Sequence, residues 1–290
     1  MGAANPNPEN KPHVKTPNFF IAGAPKAGTD SLYYALDQHP EIYMSPMKEP
    51  CYFSSEIRPE NFAPDFQARM QEQRQASRDY TRGEMKQKRF GGIVSDWDDY
   101  LRLFSGAKDE TAIGEGSVCY LWSKSAPGAI AERVPGAKIV IVLMDPAERA
   151  FAQYRKSVED EHIRHSFREQ LEASLQCSKD KIGLLHPFLD FGNYAGQVER
   201  YLAAFPRSQI NISFYEDAVT DYGRWFAQIL SFLEVDAQRY FLHAIGNRQP
   251  MEMRTEDRSL LIEYYREDIR RLEELLHRNL SAWLRQRCAE

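Results

Sequence analysis

The chain is predicted to fold as a single α/β domain, a central and mainly parallel sheet flanked by helices. Three observations predict it. Short apolar runs of strand length recur along the 290 residues, most clearly Lys138–Met144 (KIVIVLM). Stretches with apolar residues at helical spacing follow them. No internal repeat or low-complexity linker interrupts the chain after residue 17, so one domain over residues 18–290 accounts for the order. Strands alternating with helices make βαβ units, whose parallel sheet is covered on both faces.

The opening MGAANPNPENKPHVKTPN has four prolines, four asparagines and no apolar core of the kind a signal peptide carries. Pro6 stands where a myristoylation signal needs Ser or Thr. Residues 1–17 therefore read as a disordered lead-in. Asn18–Gly23 (NFFIAG) reads as a buried strand, and after the turn PKAGTDS the positions Leu32, Ala35 and Leu36 mark a helix. His39-Pro40 ends it, because the residue before a proline resists the α region. Glu41–Met44 reads as a second strand. From Ser55 to Ser95 the chain has eight basic and six acidic residues and few large aliphatics, which reads as a solvated, partly mobile segment or as an acceptor-binding flap.

Order returns with Trp97, Leu101 and Phe104 on one helix face. Ala112–Glu115 reads as a strand, Ser125–Arg133 as a helix and Lys138–Met144 as the clearest strand. Asp145-Pro146 starts a helix, with proline in the first turn where its missing N–H is harmless. Helices at Tyr194–Phe205 and Tyr222–Leu233 enclose a strand at Ile210–Tyr215. The C-terminal stretch Leu260–Leu276 carries an apolar stripe at Leu261, Tyr264, Tyr265, Ile269, Leu272 and Leu276. The four tryptophans, Trp97, Trp122, Trp225 and Trp283, fit apolar faces. His162 and His165 read as solvent-facing on a charged helix end, and His39 as a helix-terminal side chain.

Composition excludes several classes. Apolar residues make up 42% and charged residues 27%, as in soluble globular proteins. The run Ile139–Met144 is far short of the about 20 apolar residues that cross a bilayer, so no membrane partner is expected. Net charge is −5, without the basic excess of a nucleic-acid binder. Cys51, Cys119, Cys177 and Cys288 form no CxxC pair and no metal-ligand spacing, which suits reduced thiols and a cytoplasmic location. No metal site is expected, and no oligomeric state follows from the sequence.

The strand ending at Gly23 runs through Ala24-Pro25-Lys26-Ala27-Gly28-Thr29-Asp30-Ser31 into a helix, an arrangement that suits a phosphate. Glycines let backbone N–H groups approach an anion, and the orphan amides and dipole of the helix start favour negative charge. Lys26 supplies full charge, and Thr29 and Ser31 supply hydroxyls. The lysine precedes Gly28 rather than following it, so this is no Walker A sequence. A plain strand-to-helix connection with a capping residue is the competing reading at this point.

From GAPKAGTDSLYYALDQHPEIYMSPMKEPCYF onward the chain resembles the sulfotransferases that use 3'-phosphoadenosine-5'-phosphosulfate (PAPS), above all the carbohydrate, heparan-type branch and its bacterial relatives. The likeness returns at IVIVLMDPAERAFAQY, GNYAGQVERYLAAFP, the YED after the strand at 210–215, and LLIEYYREDIRRLEELLHRNLSAWL. It spans roughly residues 18–285 and is weakest at 55–95 and 157–190.

The resemblance implies that the first loop is a P-loop-like turn for the donor's 5'-phosphosulfate. Lys26 would stabilise charge on the departing phosphate, and Ala27, Gly28, Thr29, Asp30 and Ser31 would complete the cradle. Asp30 replaces the usual Thr or Ser, so its carboxylate is expected to cap the helix or turn aside. Glu49, in Lys48-Glu49-Pro50, matches the general base, with Lys48 orienting it or the sulfate. Ser117 and Tyr120, in GEGSVCYLW, match an acceptor-side segment. The implied reaction carries SO₃ from PAPS to a hydroxyl or amine of a small-molecule or carbohydrate acceptor, releases 3'-phosphoadenosine-5'-phosphate (PAP), and needs no metal.

The second motif departs from the family. Arg-x-Pro-x-x-Arg-Ala-x-Ser binds the donor's 3'-phosphate through its first Arg and its Ser, and here those positions are Met144 and Ala152. Losing a charge-assisted and a neutral hydrogen bond, about 1.5–3 and 0.5–1.5 kcal/mol, lowers affinity roughly tenfold to a thousandfold or more. Three explanations compete. Arg155, Lys156, Arg248 or Arg254 take over the 3'-phosphate; the donor lacks that phosphate; or the protein is a weak or non-catalytic relative. A P-loop-type kinase is a distant alternative, against which the lysine placement counts.

Overall fold

The computed structural model describes residues 15–237 and 252–286. Along the chain run β1 (Phe19–Gly23), α1 (Thr29–Asp37), β2 (Ile42–Met44), β3 (Met47–Lys48), α2 (Pro64–Arg82), β4 (Arg89–Phe90), α3 (Trp97–Arg102) and β5 (Ala112–Gly116). Then come α4 (Cys119–Trp122), α5 (Ala126–Arg133), β6 (Lys138–Leu143), α6 (Pro146–Glu159), α7 (Phe167–Gln176) and α8 (Tyr194–Ala204). The last are β7 (Ile210–Phe214), α9 (Tyr215–Thr220), α10 (Tyr222–Leu233) and α11 (Thr255–Leu276).

Five strands form one sheet in the order β2-β5-β1-β6-β7. All four pairings are parallel, as the strand–helix alternation predicts. β1 is buried at every position and β6 at all but its first, which is why both read as unbroken apolar runs rather than alternating ones. Because the strands are parallel, their carboxyl ends share one edge. The chain lays β2 and β5 on one side of β1, then crosses to β6 and β7 on the other. That reversal makes a switch point at the carboxyl ends of β1 and β6, where open α/β sheets receive ligands. The helices cover both faces. α11 turns Leu261, Tyr265, Ile269 and Leu272 inward, four of the six stripe positions, and leaves Tyr264 and Leu276 only partly buried.

The segment from Ser55 to Ser95 is largely exposed but holds a helix that its weak periodicity does not announce. It contains α2, a helix of 19 residues whose buried positions are Ser77 and Thr81. Its inner face is small and hydroxylated, so no aliphatic stripe announces it. Ser77 Oγ donates to Gln73 O and accepts from Ile93 N, and Arg82 forks onto Asp99 of α3 at 2.8 and 3.0 Å. The stretch 157–190 holds α7, opened by a capping box between Ser166 and Glu169. The two stretches dock on each other through Ala63 N to Ile182 O (2.8 Å) and Ile182 N to Asn61 O (2.9 Å). Of the expected lead-in, residues 1–14 lie outside the described residues, as does Arg248. No described helix is long and apolar enough to cross a membrane.

Candidate functional site

The turn after β1 is built on two glycines. A Cβ at Gly23 would lie 2.7 Å from Leu121 Cβ. Gly28 occupies the N-cap position of α1 with φ +84°, and a Cβ there would meet the Tyr215 ring at 3.0 Å. Only glycine serves such a left-handed, closely approached position without strain. No side chain caps α1, and Leu32 is the first amide to bond back, to Gly28 O at 3.0 Å. The first-turn amides of Thr29, Asp30 and Ser31 thus have no intrahelical partner and sit at the carboxyl edge of the sheet. Ala27 is buried and its amide props the turn on Ala24 O at 3.2 Å. Thr29 is buried and Ser31 partly exposed. Lys26 has φ +69° and is partly exposed. Its charge, behind the larger effect of the Lys156 hydrogen bond, helps hold the Asp160 carboxyl below its ordinary value.

Asp30 does not cap the helix. Its carboxylate turns aside onto Lys48, Oδ1 to Nζ at 2.6 Å. The same ammonium donates to Glu49 Oε1 at 3.0 Å. Lys48 is only 2% exposed while Glu49 is 30% exposed, so the cation is sealed under two carboxylates that reach solvent. Burial pulls the Lys48 pKa down, but Glu49 and Asp30 outweigh it and hold the group charged, above its ordinary value. Glu49 and Cys51 both have left-handed backbones (φ +64° and +54°), a strained turn of the kind found at ligand sites. The Glu49 amide ties this turn to Gly116 O at the end of β5 (2.8 Å).

Ser117 and Tyr120 are not on an open acceptor face. Both are buried with their hydroxyls turned inward, because a carboxylate stands in the core behind them. Glu115 Oε2 accepts from Ser117 Oγ at 2.7 Å, and Oε1 accepts from the hydroxyls of Tyr120 (2.7 Å) and Tyr100 (3.1 Å). Burial pushes the Glu115 pKa up to about 7, and the three hydroxyl bonds offset part of that rise. Ser117 Oγ also receives Cys51 N at 3.1 Å, which makes these residues a support for the Glu49 turn. The free thiols of Cys51 and Cys119 meet in the same shell, Sγ to Sγ at 3.3 Å.

The second motif opens α6 at the carboxyl end of β6. Asp145 caps it by accepting from Ala147 N at 2.9 Å and receives Arg258 Nη2 at 2.8 Å. Arg258 also bonds Glu148 Oε1 and the Arg285 carbonyl, each at 3.0 Å. The Asp145 amide donates to Glu216 Oε1 (2.9 Å), which also receives Trp283 Nε1 (3.1 Å). Met144 and Ala152 are both partly exposed, and neither offers a hydrogen-bond donor. Arg149 is wholly buried and bonds Gln153 Oε1 and the Phe188 carbonyl, both at 2.6 Å, so it does not stand in for them. Arg155 and Lys156 lie on the last turns of α6, with Lys156 on Asp160 at 2.6 Å, and Arg254 is exposed just before α11. Trp122 is partly exposed and edge-on to His186 and Phe191.

Sequence reasoning missed Glu115 and Arg258, and each left a signal. Glu115 is a lone carboxylate inside an apolar strand, and Arg258 falls on the inner face of α11, three residues before Leu261. Among the described residues, no three His, Cys, Asp or Glu side chains group to hold a metal.

The loop amides, Lys26 and the solvent-facing Glu49 together suit an anionic donor beside a proton acceptor. Comparison with known proteins gives the family. The model of the sulfotransferase family matches residues 17–239. A human bifunctional heparan sulfate N-deacetylase/N-sulfotransferase 3 is 28% identical over 94% of the chain. Human carbohydrate sulfotransferase 15 is 24% identical over 92% of the chain and 54% of its own length. The chain spans only 31% of the length of the heparan relative. A solved sulfotransferase from Alicyclobacillus acidocaldarius superposes with a TM-score of 0.77 at 34% identity, covering 93% of this chain and 100% of that one.

Proposed function

The chain belongs to the sulfotransferase family, and from that premise we propose that it moves a sulfuryl group from PAPS to a hydroxyl or amine of a small-molecule or carbohydrate acceptor. The observation that carries this reading is the bridge through Lys48, 2.6 Å to Asp30 on the cradle helix and 3.0 Å to Glu49. It sets an anion-binding helix start and a carboxylate side by side, the two parts that sulfuryl transfer needs. The donor supplies an activated sulfuryl group with a phosphate as leaving group. Glu49 takes the acceptor's O–H or N–H proton as the lone pair there bonds to sulfur. The S–O bond to phosphate breaks and its electron pair stays on the phosphate oxygen. Lys26 and the first-turn amides of α1 stabilise the charge that develops there. The relatives' names put carbohydrate acceptors, heparan sulfate nitrogen included, within the class.

Thermal melts with PAP and with adenosine 5'-phosphosulfate test the donor. A ligand at about 100 times its dissociation constant adds about 2.7 kcal/mol, several degrees for a domain of this size. Clear preference for PAP is the expected result. Glu49→Gln is expected to keep PAP binding and lose about 10²–10⁴ in turnover. Met144 and Ala152 favour a second reading, a donor without the 3'-phosphate, which equal stabilisation by the two nucleotides supports. If neither nucleotide shifts the melt at saturation, the catalytic reading fails in favour of a non-catalytic member of the family.

A further inference from the structure

Resting on Glu49 as the base, we propose that Phe90 and Tyr34 form the acceptor subsite, and that it takes an alcohol or amine carried on an aromatic ring. Among the described residues these are the two aromatic side chains left substantially open, Phe90 at 56% and Tyr34 at 41% exposure. They are not scattered. Their rings lie 5.8 Å apart at a 49° tilt, an open aromatic corner.

The corner adjoins the reacting groups through the strand register. β3 and β4 pair so that Phe90 stands across from Lys48, with Lys48 Nζ 5.7 Å from the ring centroid and 3.0 Å from Glu49 Oε1. Tyr34 lies on α1, the cradle helix, one turn after Asp30. A planar acceptor resting on the corner would therefore lie beside the ammonium that joins Asp30 of the cradle helix to Glu49. Phe90 also edges a shallow, open depression lined by Tyr80, Met85, Lys86, Lys88 and Arg89.

Charge decides the class of acceptor. The cations around the corner, Lys48, Lys86, Lys88 and Arg89, stand among as many carboxylates: Asp30 and Glu49 on Lys48, Glu84 on Lys86 and Asp37 on Lys88. Polyanion grooves carry an excess of one sign, and this rim does not. Two open aromatic rings instead offer stacking to a flat apolar face.

The test is a titration of the full chain with 2-naphthol, followed by ligand-observed NMR, in wild type, Phe90→Ala, Phe90→Tyr and Tyr34→Ala, with PAP titrated in parallel. Methyl β-D-glucopyranoside serves as the sugar probe. The expected result is that 2-naphthol binds, that Phe90→Ala weakens it about tenfold, that Phe90→Tyr retains it, and that PAP affinity does not move. In turnover the Phe90→Ala loss then appears in KM rather than kcat. Absence of 2-naphthol binding, or binding unchanged in Phe90→Ala, overturns the proposal. So does Phe90-dependent binding of the glucoside without binding of 2-naphthol. If PAP fails to bind while 2-naphthol still depends on Phe90, the donor reading falls and the subsite stands.

Discussion

Arg258 and Asp145 form a buried ion pair, Nη2 to Oδ2 at 2.8 Å, that fastens the C-terminal helix α11 to the turn after β6. The same guanidinium reaches Glu148 at 3.0 Å. This cation stands beside the motif that lacks its arginine and serine, yet it is committed to two carboxylates and a carbonyl.

Arg258→Met should therefore destabilise the fold rather than merely weaken ligand binding. It strands two carboxylates without their cation, and breaking a buried pair costs about 3–5 kcal/mol. Urea denaturation reads it. A loss below about 1 kcal/mol would mean that the pair is worth no more than a surface one.

Lys48→Met should act on turnover first. Each charge-assisted bond the ammonium makes is worth about 1.5–3 kcal/mol, and without it Glu49 and Asp30 face each other uncompensated. A kcat reduced roughly tenfold to a hundredfold, with PAP affinity changed less, is the expected split. Equal losses in both would place Lys48 in donor binding instead.

Gly28→Ala should cost stability and donor affinity together. An L residue in the left-handed region costs about 1–2 kcal/mol, and the new methyl would press on Tyr215 at 3.0 Å. Gly136, with nothing within 4 Å of its would-be Cβ, is the control. Gly136→Ala should change the urea midpoint by an amount equivalent to less than about 0.5 kcal/mol.

Glu115 should make the protein less stable as pH rises. Its folded pKa, about 7, lies above the ordinary 4.5, so between those values the native state holds a proton that the unfolded chain has released. The contribution is full below pH 4.5, falls away through about pH 7, and is on the order of 3 kcal/mol. Subtracting the Glu115→Gln profile from wild type over pH 4–8 isolates it. A flat difference would show that the carboxylate titrates normally inside its ring of hydroxyls.

Much of the fold was legible in the chain. The strands at Phe19–Gly23 and Lys138–Leu143 read from their apolar runs, and the start of α6 from Asp145-Pro146. α2 was not, because a helix that buries Ser77 and Thr81 leaves no periodic aliphatic signal. In the candidate site, the glycine turn and the Lys48-Glu49-Pro50 turn stood out locally. Nothing local marked that Ser117 and Tyr120 bond the buried Glu115, since a hydroxyl in a motif looks alike whether it faces a ligand or the core.

The sequence by itself determined the parallel sheet, the phosphate-suited turn and the family, all of which depend on local order: apolar runs, glycine positions and motif spacing. Only the tertiary structure decided the partners of the charges. Lys48 is adjacent to Glu49 in the chain, but its 2.6 Å contact with Asp30 spans two elements. The bond from Arg258 to Asp145 closes 113 residues of chain. Which cation meets which carboxylate is set by how helices pack over the sheet, and at Arg258–Asp145 burial then removes the water that would otherwise screen the pair.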